Sequence, residues 1–172
     1  IQLARHLGAT VATTTSAGNA ALVKSLGADV VVDYRKDAFE DQLRNYDVVL
    51  NSQDEQTLKK SLGVLKPGGH LISISGPPDP QFADDIKAPW PVKQVMRALS
   101  FNIRRQARRL RLSYTFLFMR ASGSQLKQIA SLIEAGAIRP VVDKVFPFDA
   151  TNEAIAYVES GRAKGKVVIK VR

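Results

Sequence analysis

The chain of 172 residues contains no cysteine, which excludes disulfides and thiolate chemistry. Histidine is nearly as scarce. His6 and His70 are the only two, and neither belongs to a group with metal-ligand spacing. Both read as surface or strand-end residues. No apolar run approaches the roughly 18 residues that cross a bilayer, and no signal or transit segment is evident. With the missing cysteines, this sets the expectation of a reducing, cytoplasmic setting. Acids are absent from one stretch in particular. Residues 92–111 hold Lys93, Arg97, Arg104, Arg105, Arg108, Arg109 and Arg111 and no Asp or Glu, so seven of the net +9 charges belong to a single element. That location argues against a basic surface spread over the whole fold. The chain also opens without Met. Ile1, Leu3, Ala4 and Leu7 stand at near-helical spacing with Gly8 as a stop, so the expectation is a part of a longer protein.

Short apolar runs alternate with helix-like segments, which predicts an α/β fold built on a parallel sheet. Strands are expected at residues 9–14 (ATVATT), 30–34 (VVVDY), 47–51 (DVVLN), 70–75 (HLISIS), 112–119 (LSYTFLFM), 141–145 and 166–171. Helices are expected at 17–26, 55–62, 92–110, 124–135 and 151–159, with a short helix or turn at 38–45. The continuous apolar runs VVV and VVL suit strands covered on both faces. The LKPGG segment at 65–69 reads as a turn. The prolines at 77, 78, 80, 89 and 91 argue against regular structure between the fourth strand and the basic helix. In that helix Val92, Val95, Met96, Leu99, Ile103, Ala107 and Leu110 trace one apolar stripe, the pattern of a helix docked on a core. Ser122 or Ser124 is a candidate cap for the helix ended by Gly136, and Thr151 for the last helix.

Three stretches together resemble the medium-chain dehydrogenase/reductase superfamily, in its quinone-oxidoreductase-like branch: AALVKSLGADVVVDYRKD (20–37), YDVVLNSQDEQTLKKSLGVLKPGGHLISISG (46–76) and LIEAGAIRPVVDKVFPFDATNEAIAYVESGRAKGKVVIKV (132–171). The last is the most specific, through its order of short strand, helix, Gly-x-x-x-Gly-Lys and final strand. The resemblance implies a Rossmann-like, doubly wound cofactor domain over residues 1–139 and a segment 140–172 that returns to a catalytic domain. It also implies a catalytic domain, a first strand and a Gly-rich turn upstream of Ile1. No G-x-G-x-x-G occurs here. The missing strand would lie between the two halves of the sheet, and the missing turn would carry the amides that cradle a pyrophosphate. These residues alone are therefore expected to be inactive, and to be unstable, to bind cofactor poorly or to fill the gap with another segment.

The same resemblance directs attention to a nicotinamide cofactor. An acid at the end of the second Rossmann strand accepts hydrogen bonds from the ribose diol of NAD and repels the 2′-phosphate of NADP. By position Thr14 takes that acid's place, within Thr13-Thr14-Thr15-Ser16, where hydroxyls can donate to a phosphate instead. NADP (NADPH) is therefore favoured over NAD. The alternative is a polar strand end with a helix cap. The resemblance adds Tyr34 as a partner of the adenosine phosphate. A neutral Asn19 stands where related NADPH reductases carry lysine, and Arg35 or Lys36 could supply the charge. Ligands of open α/β sheets lie beyond the carboxyl ends of the strands, which selects Asn51, Ser52, Gln53, Ser75 and Gly76. Leu117 and Phe118 are implied to flank the nicotinamide, and Lys166 to approach the cofactor.

The implied reaction is hydride transfer between the nicotinamide and a quinone, carbonyl or activated alkene. No catalytic residue can be named, and no zinc ligands are evident in this chain, so a zinc-independent enzyme is expected. Asp29, Asp33 and Asp47 read as structural. The resemblance also implies a homodimer paired through the edge strand 112–119. The basic helix reads mainly as a packing helix with a solvated arginine face, and secondarily as a surface for membranes or nucleic acid. Two other functions remain open at this point: a methyltransferase-like domain for S-adenosylmethionine, suggested by DVVLN and LKPGGHLISIS, and a non-catalytic Rossmann-like binding module.

Overall fold

The computed structural model describes residues 1–171 as two compact units. One comprises Ile1–Val31 with the chain from Ser122 onward; the other is Val32–Ala121. Among the described residues the strands form three sheets.

In the first unit, helix α1 (Gln2–His6) leads to β1 (Ala12–Thr15), a 3-10 turn at Ala17–Asn19 and α2 (Ala20–Ser25). Strand β1 pairs with β2 (Val30–Asp33), in which the boundary between units falls. Asp29 organises the approach to β2. One carboxylate oxygen accepts from the Val11 amide at 2.8 Å and the other from Arg5 at 2.9 Å. Gln2 and Arg139 exchange two hydrogen bonds of 2.9 Å, tying α1 to the residues after α8 (Gly123–Glu134). Helix α8 is capped as expected: the Ser122 hydroxyl accepts from the Gln125 amide, and Gly136 follows at a φ of +71°.

The tail of this unit is a parallel pair, β6 (Val142–Pro147) and β7 (Lys166–Lys170), joined by α9 (Thr151–Glu159). Thr151 does not cap α9. It is the first helical residue, and its hydroxyl bonds back to the Phe148 carbonyl. Asp143 ties the three elements together, accepting from the Tyr157 hydroxyl at 2.7 Å and the Lys164 amide at 3.2 Å. Those bonds, the tyrosine's above all, hold the Asp143 carboxyl below its ordinary pKa. The Gly-Lys motif has a steric cause. A Cβ on Gly165 would lie 2.5 Å from the Val141 carbonyl oxygen, while the next amide, of Lys166, donates to that same oxygen at 2.7 Å. Backbone cannot yield as a side-chain end can. Gly165→Ala is therefore expected to destabilise the β6–β7 pair by about 1–3 kcal/mol, measured as a lower denaturation midpoint.

The second unit holds the larger core. Strands β3 (Tyr46–Asn51), β4 (Leu65–Ser73) and β5 (Ser113–Phe116) form a parallel sheet in the order β3-β4-β5. Helices α4 (Glu55–Ser61) and α7 (Phe101–Arg109) bring Leu58, Ile103 and Ala107 to a cluster with Leu62, Leu65, Leu71 and Leu112. A short helix α3 (Phe39–Gln42) joins β2 to β3.

Five expectations are corrected in this unit. The LKPGG segment is part of β4, not a free turn. Tyr46 pairs with Leu65 and Val48 with His70, so residues 66–69 bulge out of the ladder. Gly68 adopts a φ of +87°, which explains the turn chemistry read there. The proline-rich stretch is helical: α5 (Pro80–Asp85) and the start of α6 (Trp90–Leu99) place prolines in the first turn, where a missing N–H costs nothing. The basic helix is two helices, α6 and α7, broken at Ser100. Its buried hydroxyl and its amide both donate to the Met96 carbonyl, at 2.9 and 3.1 Å. Finally, the sheet is covered on one face only. Leu71 and Ser73 face the core, whereas Val48, Leu50 and Ile74 are exposed. The strand expected over 112–119 is correspondingly short. After Phe116 the chain leaves the ladder with Leu117, Phe118 and Met119 exposed.

Candidate cofactor site

In the second unit, the carboxyl ends of the three parallel strands are stitched by one segment, residues 73–79. Asn51 and Ser73, the last residues of β3 and β4, are register partners, and both are buried. The Ser73 hydroxyl donates to Asn51 Oδ1 at 3.3 Å and accepts from the amides of Gly76 at 2.9 Å and Ser75 at 3.4 Å. The Ser75 hydroxyl lies 2.5 Å from the Gln53 carbonyl oxygen and 3.3 Å from Asn51 Oδ1. The loops after β3 and β4 are thereby held together. Gly76 is needed for this turn, since a Cβ there would come within 2.9 Å of Ser73 Oγ, Leu58 Cδ2 and the Tyr114 hydroxyl.

Two further groups secure the rim. The Tyr114 hydroxyl donates to the Pro77 carbonyl at 2.7 Å. Burial, and secondarily the nearby Asp79 charge, push its pKa well above that of a free phenol, so it stays a donor. Buried Asp79 caps α5 by accepting from the Phe82 amide at 2.8 Å, and its second oxygen accepts from the Phe116 amide at 3.0 Å. Helix α5 is thus fastened to the end of β5. Phe82, Phe116 and Phe118 cluster there, with ring centroids 5.0 to 6.5 Å apart. The outer face of Phe118 and the side chain of Leu117 are exposed. The structure therefore brings Asn51, Ser52, Gln53, Ser75 and Gly76 to one rim, with Leu117 and Phe118 at the end of β5. Exposed Tyr34 follows β2, and the Arg35 guanidinium lies 5.9 Å from the centroid of its ring.

Ser73, Asp79, Phe82 and Tyr114 were not singled out from the sequence. Period-two alternation in HLISIS puts Ser73 on the inward face with Leu71, a signal available to sequence reading. Asp79-Pro80 is a cap followed by a first-turn proline, masked by the density of prolines around it.

In the first unit, Thr14 is exposed, and Thr15, Ser16 and Asn19 are partly covered, at the end of β1 and the start of the following turn and helix. Neither Ser16 nor Asn19 caps a helix with its side chain. Among the described residues, no side-chain hydrogen bond from Thr14, Thr15, Ser16 or Asn19 is formed, and none of these four is an acid. This set of free hydroxyl and amide donors fits an anionic oxygen ligand such as a ribose phosphate. The chain has no G-x-G-x-x-G, the motif whose amides cradle a pyrophosphate. Lys166 opens β7, exposed and without an ion pair among the described residues. The same unit holds an open cleft of about 420 Å³ lined by Gln2, Arg5, Ser25, Gly136 and Arg139 among others. None of the anticipated cofactor residues lines it.

The described residues do not fit a zinc site. No three of His, Cys, Asp and Glu come together among them, and His70 is engaged with the Thr115 hydroxyl at 2.8 Å.

The zinc-binding dehydrogenase family model matches residues 26–169. The chain is 34% identical over 176 residues to the mitochondrial NAD(P)H oxidoreductase RTN4IP1 of Danio rerio, covering 99% of this chain and 45% of that protein. It is 34% identical to 2-methylene-furan-3-one reductase of Solanum lycopersicum, over 98% of this chain and 36% of the relative. The chain therefore spans less than half the length of these curated relatives. Its fold superposes on a quinone oxidoreductase from Coxiella burnetii with a TM-score of 0.75 at 24% identity, covering 100% of this chain and 48% of the other. These matches set the methyltransferase alternative aside. The chain belongs to the zinc-binding dehydrogenase family, within the medium-chain dehydrogenase/reductase superfamily, and corresponds to its C-terminal, cofactor-binding part.

Proposed function

We propose that this chain supplies the cofactor-binding half of an oxidoreductase that moves a hydride between NADPH and a quinone, carbonyl or activated alkene. One observation carries the reading: the acid-free, uncommitted donors of Thr14, Thr15, Ser16 and Asn19 at the end of β1. A carboxylate at that place would favour a ribose diol and repel a phosphate; hydroxyls favour the phosphate. The nicotinamide supplies the hydride. The protein's part is to hold and orient it. Tyr34 and Arg35 are assigned to the adenosine phosphate. Ser52, Gln53, Ser75 and Gly76 form the rim, Leu117 and Phe118 the apolar wall beside the nicotinamide, and Lys166 a further cation toward the cofactor. The names of the relatives, an NAD(P)H oxidoreductase and a methylene-furanone reductase, support a reducible carbonyl-conjugated substrate. The catalytic part, a zinc-independent mechanism, pairing of two copies through β5 and a cytoplasmic setting belong to the same proposal.

Titration of the complete protein, this segment together with its catalytic part, with NADPH and NADH tests it through nicotinamide fluorescence. NADPH is expected to bind at least roughly tenfold tighter, a difference of about 1.4 kcal/mol. Equal affinities would remove the NADPH preference. Binding of neither nucleotide would remove the redox reading.

A further inference from the structure

We propose that α6 and α7 form a docking face for the surface of an anionic lipid bilayer. The apolar stripe of this segment is used for core packing only in its second half, where Ile103 and Ala107 are buried. Helix α6 buries none of its residues. At helical spacing Val92, Val95 and Leu99 share one arc. All three face solvent, Val95 at 57% and Leu99 at 60% exposure, while the partly covered residues are Lys93, Gln94 and Met96. Helix α6 therefore turns its aliphatic side outward. Trp90, 72% exposed, stands at its start, and exposed Phe101 follows the break.

The charge beside this stripe lacks partners. Lys93 is paired with Asp84 at 2.6 Å. Among the described residues no carboxylate lies within ion-pair distance of Arg97, Arg104, Arg105, Arg108, Arg109 or Arg111. Arg105, Arg108 and Arg109 lie on the solvent side of α7. Arg104 is partly sunk with its Nε in no hydrogen bond. Burial first, then Arg108 and Arg97, hold its pKa below the usual arginine value, and the Asp79 charge offsets them only in part.

Outward aliphatic side chains next to unpaired guanidinium groups match a helix lying in the headgroup region of an acidic bilayer. A nucleic acid would use the arginines but gain nothing from Val95 and Leu99. No helix among the described residues is long and apolar enough to cross a membrane, so the contact is one of lying on the surface.

Co-sedimentation of the complete protein with phosphatidylcholine vesicles, with and without phosphatidylserine, tests the assignment, with duplex DNA in a parallel arm. Binding is expected only to vesicles that contain phosphatidylserine, and it should weaken as salt rises. Joint reversal of Arg105, Arg108 and Arg109 to Glu should lower it by more than roughly tenfold. V95S/L99S should weaken it with every arginine retained. These positions are exposed, so circular dichroism should be unchanged. Absent or equal binding to the two vesicle types, insensitivity to either variant, or binding to DNA in place of vesicles would overturn the proposal.

Discussion

Leu71→Ala is expected to cost about 2–5 kcal/mol of folding stability. Leu71 is wholly inaccessible, at 0% exposure, in the middle of β4, the central strand of its sheet. It contacts the cluster of Leu58, Leu62, Leu65, Ile103, Ala107 and Leu112, contributed by α4, β4, α7 and their flanking turns. Truncation removes three carbons and leaves a cavity that two helices and a strand ladder cannot easily close. Against a typical total stability of about 5–15 kcal/mol, that loss would leave the unit near its threshold. Urea denaturation would read it as a lower midpoint with an unchanged slope. Val48 is the control. It lies on the neighbouring strand β3 but on the other face, 54% exposed. Val48→Ala should change stability by no more than about 0.5 kcal/mol. Equal losses at the two sites would show that the sheet is covered on both sides in solution.

The second large effect concerns the cofactor. On the proposed reading, Thr14→Asp should lower NADPH affinity by roughly tenfold to a hundredfold, about 1.4–2.7 kcal/mol, and leave NADH unchanged or improved. Thr14 is exposed, its side chain carries no hydrogen bond and it is the penultimate residue of β1, so the substitution adds charge without disturbing packing. A carboxylate there would face the 2′-phosphate with like charge, and solvent exposure keeps the penalty well below what it would be in a dry interior. It would accept from the ribose diol of NADH. Paired fluorescence titrations of the parent and variant measure the ratio. A ratio changed by less than twofold would detach Thr14 from the phosphate.

Much of the fold was legible because the elements carry strong local signals. Helix α8 has a serine before it and glycine after it, and β3 and β4 are dense in β-branched and aliphatic residues. The errors fall where one local signal was weighed alone. Proline density at 77–91 reads as irregular, although Asp79-Pro80 also spells a capped first turn. The apolar stripe of 92–110 reads as one docked helix. Two helices meet at Ser100, and only the second buries residues in the core. At the candidate site the exposed rim residues are legible from strand ends, and the inward place of Ser73 and the Asp79-Pro80 cap from local pattern, whereas the distant partners of Ser73, Asp79 and Tyr114 are not. Their bonds reach residues 2 to 37 positions away, and no local pattern encodes the distant partners: Asn51 for Ser73, Phe116 for Asp79 and Pro77 for Tyr114.

By itself the sequence determined the α/β class, the order of strands and helices, the absence of an acid after the first strand and the family, because each rests on short-range periodicity or on residue identity. Tertiary structure alone decided which sheet face is buried, that the aliphatic side of α6 points outward, and that Gly76 and Gly165 admit no Cβ. Those outcomes depend on close packing between segments distant along the chain, where a few tenths of an ångström decide what fits.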